Sequence, residues 1–128
     1  MNSIMEKNLF EKIGGMATVD IAVEIFYLKV LADDAISHFF RWTNMDAQIA
    51  RQKVFLAYVF GAPLNYSGKN MRDAHAHLVK RGLNESHFNA VIGHLVSTLQ
   101  ELCIGEDLID EVSRIAENTR NDVLGHTS

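Results

Sequence analysis

A 128-residue chain with one proline, Pro63, and apolar residues that keep recurring at helical spacing reads as mostly helical. Few stretches alternate with period two, which leaves little room for a sheet. A short first helix is expected from about Asn8 to Ile13, closed by Gly14-Gly15. A second starts near Thr18 as N-cap and buries Val19, Ala22, Val23, Phe26, Val30 and Leu31 before Asp33-Asp34 ends it. A short apolar turn around Ile36, Phe39 and Phe40 follows. Asn44 caps a third helix from Met45 to about Phe60, which Gly61-Ala62-Pro63 stops. Residues 65–70, including Gly68, read as loop, and Met71 to Lys80 as a shorter helix ending at Gly82. Asn84-Glu85-Ser86 opens a long helix to about Leu102, with Phe88, Val91, Ile92, Leu95, Leu99 and Leu102 along one side. After Gly105 a last helix runs from about Asp107 to Leu124. The expected fold class is all-α.

Apolar residues make up 48% and charged residues 22%, which excludes a disordered chain and a fibrous repeat. A chain of this length buries roughly two-thirds of its unfolded surface, enough for one core, so residues 1–128 are expected to form one domain. The net charge of −4 and the lack of a Lys/Arg run make nucleic acid and anionic membranes poor partners. Cys103 stands alone, which removes a disulfide framework and any multi-cysteine metal cluster, and suits a reducing, cytoplasmic setting. Residues 1–10 lack the pattern of a secretory signal, and the longest apolar stretch, Val54 to Leu64, is too short to span a bilayer. A soluble monomer is expected.

Some polar residues fall where the periodicity puts the core. In the third helix Met45, Ile49, Phe55, Leu56 and Val59 share one arc; Gln52 lies near its middle and Gln48 inside its edge. Burying an unpaired amide costs roughly 1–3 kcal/mol, so each amide needs a partner. Either Gln48 is half exposed and Gln52 bonds a backbone carbonyl, or both face a polar ligand in an apolar cavity. Arg51, one step toward solvent, could reach across the mouth of such a cavity.

His75 shares an apolar stripe with Met71, Ala74, Leu78 and Val79, whereas His77, His87 and His94 fall on polar sides or edges and are expected in solvent. A lone inward histidine is most often a satisfied core residue. No histidine or carboxylate at i+3 or i+4 joins it, so zinc and di-iron sites have little support. It would suit an axial ligand to a metal that brings its own equatorial nitrogens, which is haem iron. Tyr27 sits at the inner margin of the second helix beside Phe26; it is either a core tyrosine bonded to backbone or a third neutral donor beside Gln48 and Gln52. Charged general acids and nucleophile–base pairs are missing from the inward faces, which argues against hydrolase chemistry.

In order along the chain stand Leu9-Phe-Glu-Lys-Ile-Gly-Gly15, Phe26-Tyr27 with Val30-Leu31 and Asp33, and Phe39-Phe40. Met45, Gln48, Gln52-Lys53 and Phe55-Leu56 follow, then Tyr66-Ser-Gly68, Met71-Arg-Asp-Ala-His75 and His87-Phe88. In this order and spacing, from about Leu9 to Leu124, the chain resembles the group I truncated haemoglobins, in pattern the cyanobacterial and protist ones. The resemblance implies a truncated globin fold, a two-over-two helical sandwich around haem b (iron protoporphyrin IX). It implies His75 as proximal iron ligand, its Nδ1–H donating to the Met71 carbonyl, and Tyr27, Gln48 and Gln52 as the distal network. Phe40 joins the cofactor-binding set, and Phe55 matches a residue that gates an apolar gas tunnel in some relatives. The usual second glycine pair is here Gly61-Ala62.

Two departures matter. Some cyanobacterial relatives carry an iron-binding histidine where this chain has Arg51, and a guanidinium is a very poor iron ligand. Five-coordinate ferrous haem is therefore expected, with Arg51 pairing a haem propionate. Those relatives can also form a covalent haem link through a histidine shortly before the terminal Asp-Val-Leu; Asn118-Thr119-Arg120 fills that stretch here and His126 lies beyond it, so extractable haem is expected. Three functions are weighed: reversible binding of O2, with CO and NO as further ligands; a nitric oxide dioxygenase making nitrate; and a haem-free helical interaction module. The second needs a separate reductase, since no flavin or nicotinamide pattern lies in this chain.

Overall fold

In the computed structural model, which describes residues 9–60 and 68–126, the first glycine pair sets where the first long helix begins. Helix α1 (Leu9–Lys12) ends in a turn, and Gly14, at φ 111°, leads directly into α2 (Gly15–Ala32). The left-handed backbone favours glycine there, and a Cβ would also lie 2.3 Å from the Thr18 hydroxyl, which would have to turn aside. Thr18 is accordingly no N-cap: the cap is Gly14, four residues earlier than the spacing suggested.

Asp33 ends α2 and caps α3 (Asp34–Ser37), its carboxylate accepting from the Ala35 amide at 3.0 Å. A single 3-10 turn, His38–Phe40, delivers Phe39 and Phe40 inward. Asn44 caps α4 (Met45–Val59), as expected, accepting from the Ala47 amide. Its putting Phe60 at the C-cap, fully buried, closes the core face. Val59's side chain, expected on the inward arc, and the stop and loop at Gly61, Ala62, Pro63 and Tyr66 lie outside the described residues. Helix α5 (Gly68–Lys80) starts three residues before Met71, so Gly68 is helical rather than loop. Asn84 and His87 close a reciprocal cap on α6 (Glu85–Glu101). The expected last helix is two: α7 (Glu106–Glu117) and α8 (Arg120–Leu124). Thr119 separates them, buried, its hydroxyl turned back onto the Ala116 carbonyl at 2.7 Å.

No strand occurs among the described residues. Helix α2 packs on α4, α6 packs on α7, and the two pairs meet through α2–α6 and α4–α7 contacts, which is the two-over-two arrangement. The shared core is Val19, Val23, Phe26 and Val30 of α2, Leu56 of α4, Leu95 and Leu99 of α6, and Ile109 and Val112 of α7. Each such side chain contributes roughly 1.5–3 kcal/mol by leaving water. Leu31, expected on this face, is 44% exposed while its neighbour Val30 is buried: one helical step carries Leu31 past Tyr27, the edge of the buried arc, toward solvent. Ion pairs reinforce the crossings: Lys29 with Glu101 between α2 and α6, and Lys53 with Asp20, 3.3 Å, between α4 and α2. No described helix is long and apolar enough to cross a membrane.

Helix α5 belongs to neither pair. It packs against α8, where Arg72 reaches Asp122 at 3.1 Å, and so stands off from α2 and α4. A space opens between these elements.

Candidate functional site

That space is a cavity of about 610 Å3, within the usual range for an organic ligand or cofactor. Its walls are largely apolar: Phe26, Val30, Phe39, Phe40, Leu56, Leu78, Val91, Ile92 and Leu95 all border it. The eight residues singled out from the sequence (Tyr27, Phe40, Gln48, Arg51, Gln52, Phe55, Met71 and His75) all line it.

His75 comes from α5. Its Nδ1 lies 2.8 Å from the Met71 carbonyl oxygen, one turn back in the same helix. A carbonyl can only accept, so Nδ1 carries the hydrogen. Burial pushes the imidazole below its ordinary pKa, and the Met71 bond only partly opposes this, so the ring is neutral. A neutral imidazole with hydrogen on Nδ1 has a lone pair on Nε2. Among the described residues nothing bonds that nitrogen, and no wholly buried side-chain nitrogen or oxygen is left without a partner. His75 therefore presents a basic nitrogen to the cavity with room beside it.

The polar residues of α2 and α4 form a chain of hydrogen bonds. Arg51 Nη2 donates to Gln48 Oε1 at 2.9 Å, and Gln48 Nε2 donates to Tyr27 Oη at 3.0 Å. Tyr27 Oη donates in turn to Gln52 Oε1 at 3.4 Å, a long and weak bond. The inward amides thus meet side chains and not backbone carbonyls, Gln48 through both its oxygen and its NH2 group and Gln52 through its oxygen. Tyr27 is only 4% exposed, held edge-on between Phe26 and Phe40 with centroids 5.2 and 5.9 Å away. Burial raises its pKa, while the Gln48 bond and the Arg51 charge work the other way; the phenol keeps its proton at neutral pH. The cavity accordingly offers neutral donors from the α2–α4 pair and a neutral nitrogen base from α5, which stands outside both pairs.

Two histidines expected in solvent also border the cavity, His77 and His87. His87 packs its ring on Phe39, centroids 5.0 Å apart, and its Nδ1 accepts from the Asn84 amide at 3.0 Å. That bond leaves the hydrogen of the neutral ring on Nε2, the opposite tautomer to His75. The spacing Asn84-x-x-His87 is a visible signal of the cap, whereas the contact with Phe39 crosses elements and has none. His94 is no solvated residue either: its Nε2 donates to Asp33 at 2.7 Å, tying α6 to the α2–α3 corner.

A family model described as bacterial-like globin matches residues 8–124. The chain is 44% identical over 120 residues to a group 1 truncated hemoglobin of Tetrahymena thermophila, covering 94% of this chain and 97% of that one. It is 50% identical over 109 residues to group 1 truncated hemoglobin GlbN of a Synechocystis species, covering 84% of this chain and 88% of that protein. Among solved structures, it is similar to the 2/2 hemoglobin of Synechococcus sp. PCC 7002 in the cyanomet state with covalently attached heme. There the TM-score is 0.88, the identity 49%, and the coverage 94% of this chain and 100% of that one. The truncated hemoglobin of Tetrahymena pyriformis, in its Fe(III) form, gives a TM-score of 0.83 at 42% identity, covering 92% and 98%.

Proposed function

The chain belongs to the bacterial-like globins, among the group 1 truncated haemoglobins, and on that premise we propose that it holds haem b in this cavity and reversibly binds dioxygen. The observation that carries the reading is His75: a buried neutral imidazole whose Nδ1–H is committed to Met71 and whose Nε2 lone pair faces open space. This donor set fits a haem, which needs one nitrogen from the protein and apolar walls for the porphyrin. When bound, haem supplies the ferrous iron to which a diatomic gas coordinates reversibly.

The residues divide the work. His75 would hold the iron through Nε2, and the Met71 carbonyl fixes the plane of its ring. Phe40 and Phe55 would pack against the porphyrin and help keep water out of the gas pocket. Tyr27, Gln48 and Gln52 would offer hydrogens to a gas that gathers partial negative charge, which favours dioxygen over carbon monoxide. Arg51, exposed at the cavity edge with five donors, can keep its bond to Gln48 and still pair a propionate. It is no iron ligand, so the ferrous protein is expected to be five-coordinate. A haem-free interaction module would leave this polar chain and the free imidazole nitrogen without a task.

Absorption spectra of the purified protein, before and after haem addition, test the proposal. A Soret band with a five-coordinate ferrous spectrum that shifts reversibly with dioxygen is expected in the native protein. It is expected to be altered or lost in His75→Ala. A protein that stays colourless after haem addition, or an unchanged spectrum in the variant, overturns it.

A further inference from the structure

A carboxamide can present either its oxygen or its NH2 group to a neighbour, and a hydroxyl can answer either. The Gln48–Tyr27 contact is therefore ambiguous in itself. If Gln48 turned its oxygen toward Tyr27, the phenol hydrogen would be spent on the amide. With its NH2 group toward Tyr27, as here, the phenol accepts and its own hydrogen is left for another acceptor. The choice is made one residue further out. Arg51 can only donate, and its Nη2 holds Gln48 Oε1 at 2.9 Å, which forces Nε2 onto Tyr27 Oη. The phenol hydrogen then goes to Gln52 Oε1 across a long 3.4 Å bond, the weakest link in the chain and the easiest to give up. Arg51 and Gln48 are three apart on α4, so the contact is built into one helix.

From this chain of bonds we propose that Arg51 is a positioning residue: it sets the direction of the Gln48 amide and so keeps the Tyr27 hydrogen available to the bound gas. The inference rests on the haem-globin reading above and adds a determinant of gas selectivity that need not touch the gas. Arg51 acts through Gln48, and this separates it from a residue that merely secures a propionate. A propionate partner would influence cofactor retention with or without the amide; an orienting residue loses its influence when the amide is gone.

The experiment is a double-mutant cycle on the haem-loaded protein, with Arg51→Met, Gln48→Leu and the pair, read by dioxygen release and by the C–O stretch of the carbon monoxide form. Arg51→Met is expected to speed dioxygen release by about three- to tenfold, the loss of roughly one oriented hydrogen bond. Carbon monoxide release should move far less. The C–O stretch should gain a second band at higher frequency, since a lone pair now faces the ligand in part of the molecules. In the Gln48→Leu background the same change should have no effect on either readout. An Arg51→Met protein with the wild-type release rate and a single unshifted band overturns the inference. So does an effect of equal size with and without Gln48. Failure to bind haem at all, seen in the wild-type Soret band, would sink the underlying reading instead and is told apart by that band.

Discussion

At the scale of single residues, burial decides which protons the site can use. Tyr27 is enclosed by Phe26, Phe40 and the two amides, and the cost of a buried phenolate keeps it a donor at neutral pH. Tyr27→Phe keeps the ring packing and removes the hydrogen. A hydrogen bond to a partly charged ligand contributes about 1.5–3 kcal/mol, so dioxygen release should speed up by roughly ten- to a hundredfold. Stopped-flow displacement by carbon monoxide measures it, and an unchanged rate would take Tyr27 out of the gas pocket. His75 is shifted in the opposite chemical sense: burial lowers its pKa from the ordinary 6.5. Below about that pH the unfolded chain takes up a proton that the folded chain refuses, so stability is full above it and falls as the medium is acidified toward the folded pKa. Thermal melts of haem-free protein between neutral and mildly acid pH should therefore show a larger loss in the wild type than in His75→Leu. Equal losses would mean that the imidazole is not sheltered. Both residues stood out in the sequence because a polar side chain on an apolar stripe is conspicuous. The bonds of His87 and His94 to other parts of the chain were not, since period alone says which way a residue faces and nothing about what meets it there.

At the scale of elements, the faces were legible and several ends were not. The apolar positions of α2, α4, α6 and α7 identify the packed surfaces without a structure, because burial is periodic. Ends depend on single local bonds instead. Gly14 starts α2 early through a backbone conformation that Thr18 cannot supply, and Thr119 breaks what looks like one final helix by bonding the Ala116 carbonyl. The short α8 that results is too small to be stable alone, and Arg120 holds it in place. Its guanidinium donates to both Glu117 oxygens (2.9 and 2.7 Å), to Asn89 at 2.7 Å and to Glu85, and lies 4.5 Å from the centre of the Phe88 ring. One planar fork thereby joins α7, α8 and the first turn of α6. The pairs are partly exposed and screened, so Arg120→Ala should cost about 1–2 kcal/mol rather than the sum of its contacts. Denaturant melts would read this, and Arg120→Lys should recover only part of it, because an ammonium can neither fork nor stack as well. Full recovery by lysine would reduce the role of Arg120 to net charge.

At the scale of the whole molecule, the two crossed pairs leave α5 standing apart on α8, and that separation makes room for a cofactor. The cavity draws on α2, α4, α5, α6 and the α7–α8 corner, so its existence could not be read from any one segment, although its eight anticipated lining residues could. The α7–α8 corner also bears on how firmly haem is kept. It contributes Ala116, Thr119 and Val123 to the wall, none of which is a nitrogen nucleophile. His126, the histidine nearest this corner in sequence, is exposed and turns its Nδ1 toward Glu85 at 3.5 Å, away from the lining. His87 does reach the wall, but Asn84 occupies its Nδ1 and leaves the neutral ring with hydrogen, not a lone pair, on Nε2. His75 Nε2 is claimed by the iron in the proposed arrangement. Haem should then be held by one coordinate bond, apolar contact and polar contacts at its edge; acid breaks the first and last by protonating the imidazole and the propionates, and the ketone dissolves the apolar macrocycle. Acid–ketone extraction should move the colour entirely into the organic layer, and the mass of the remaining chain should equal that of the polypeptide alone. The similar Synechococcus structure carries covalently attached heme, so the same procedure on that protein serves as the retaining control. Colour left with this chain, or a mass raised by one porphyrin, would mean that a lining histidine reacts with the cofactor after all, and peptide mapping across His77 and His87 would show which.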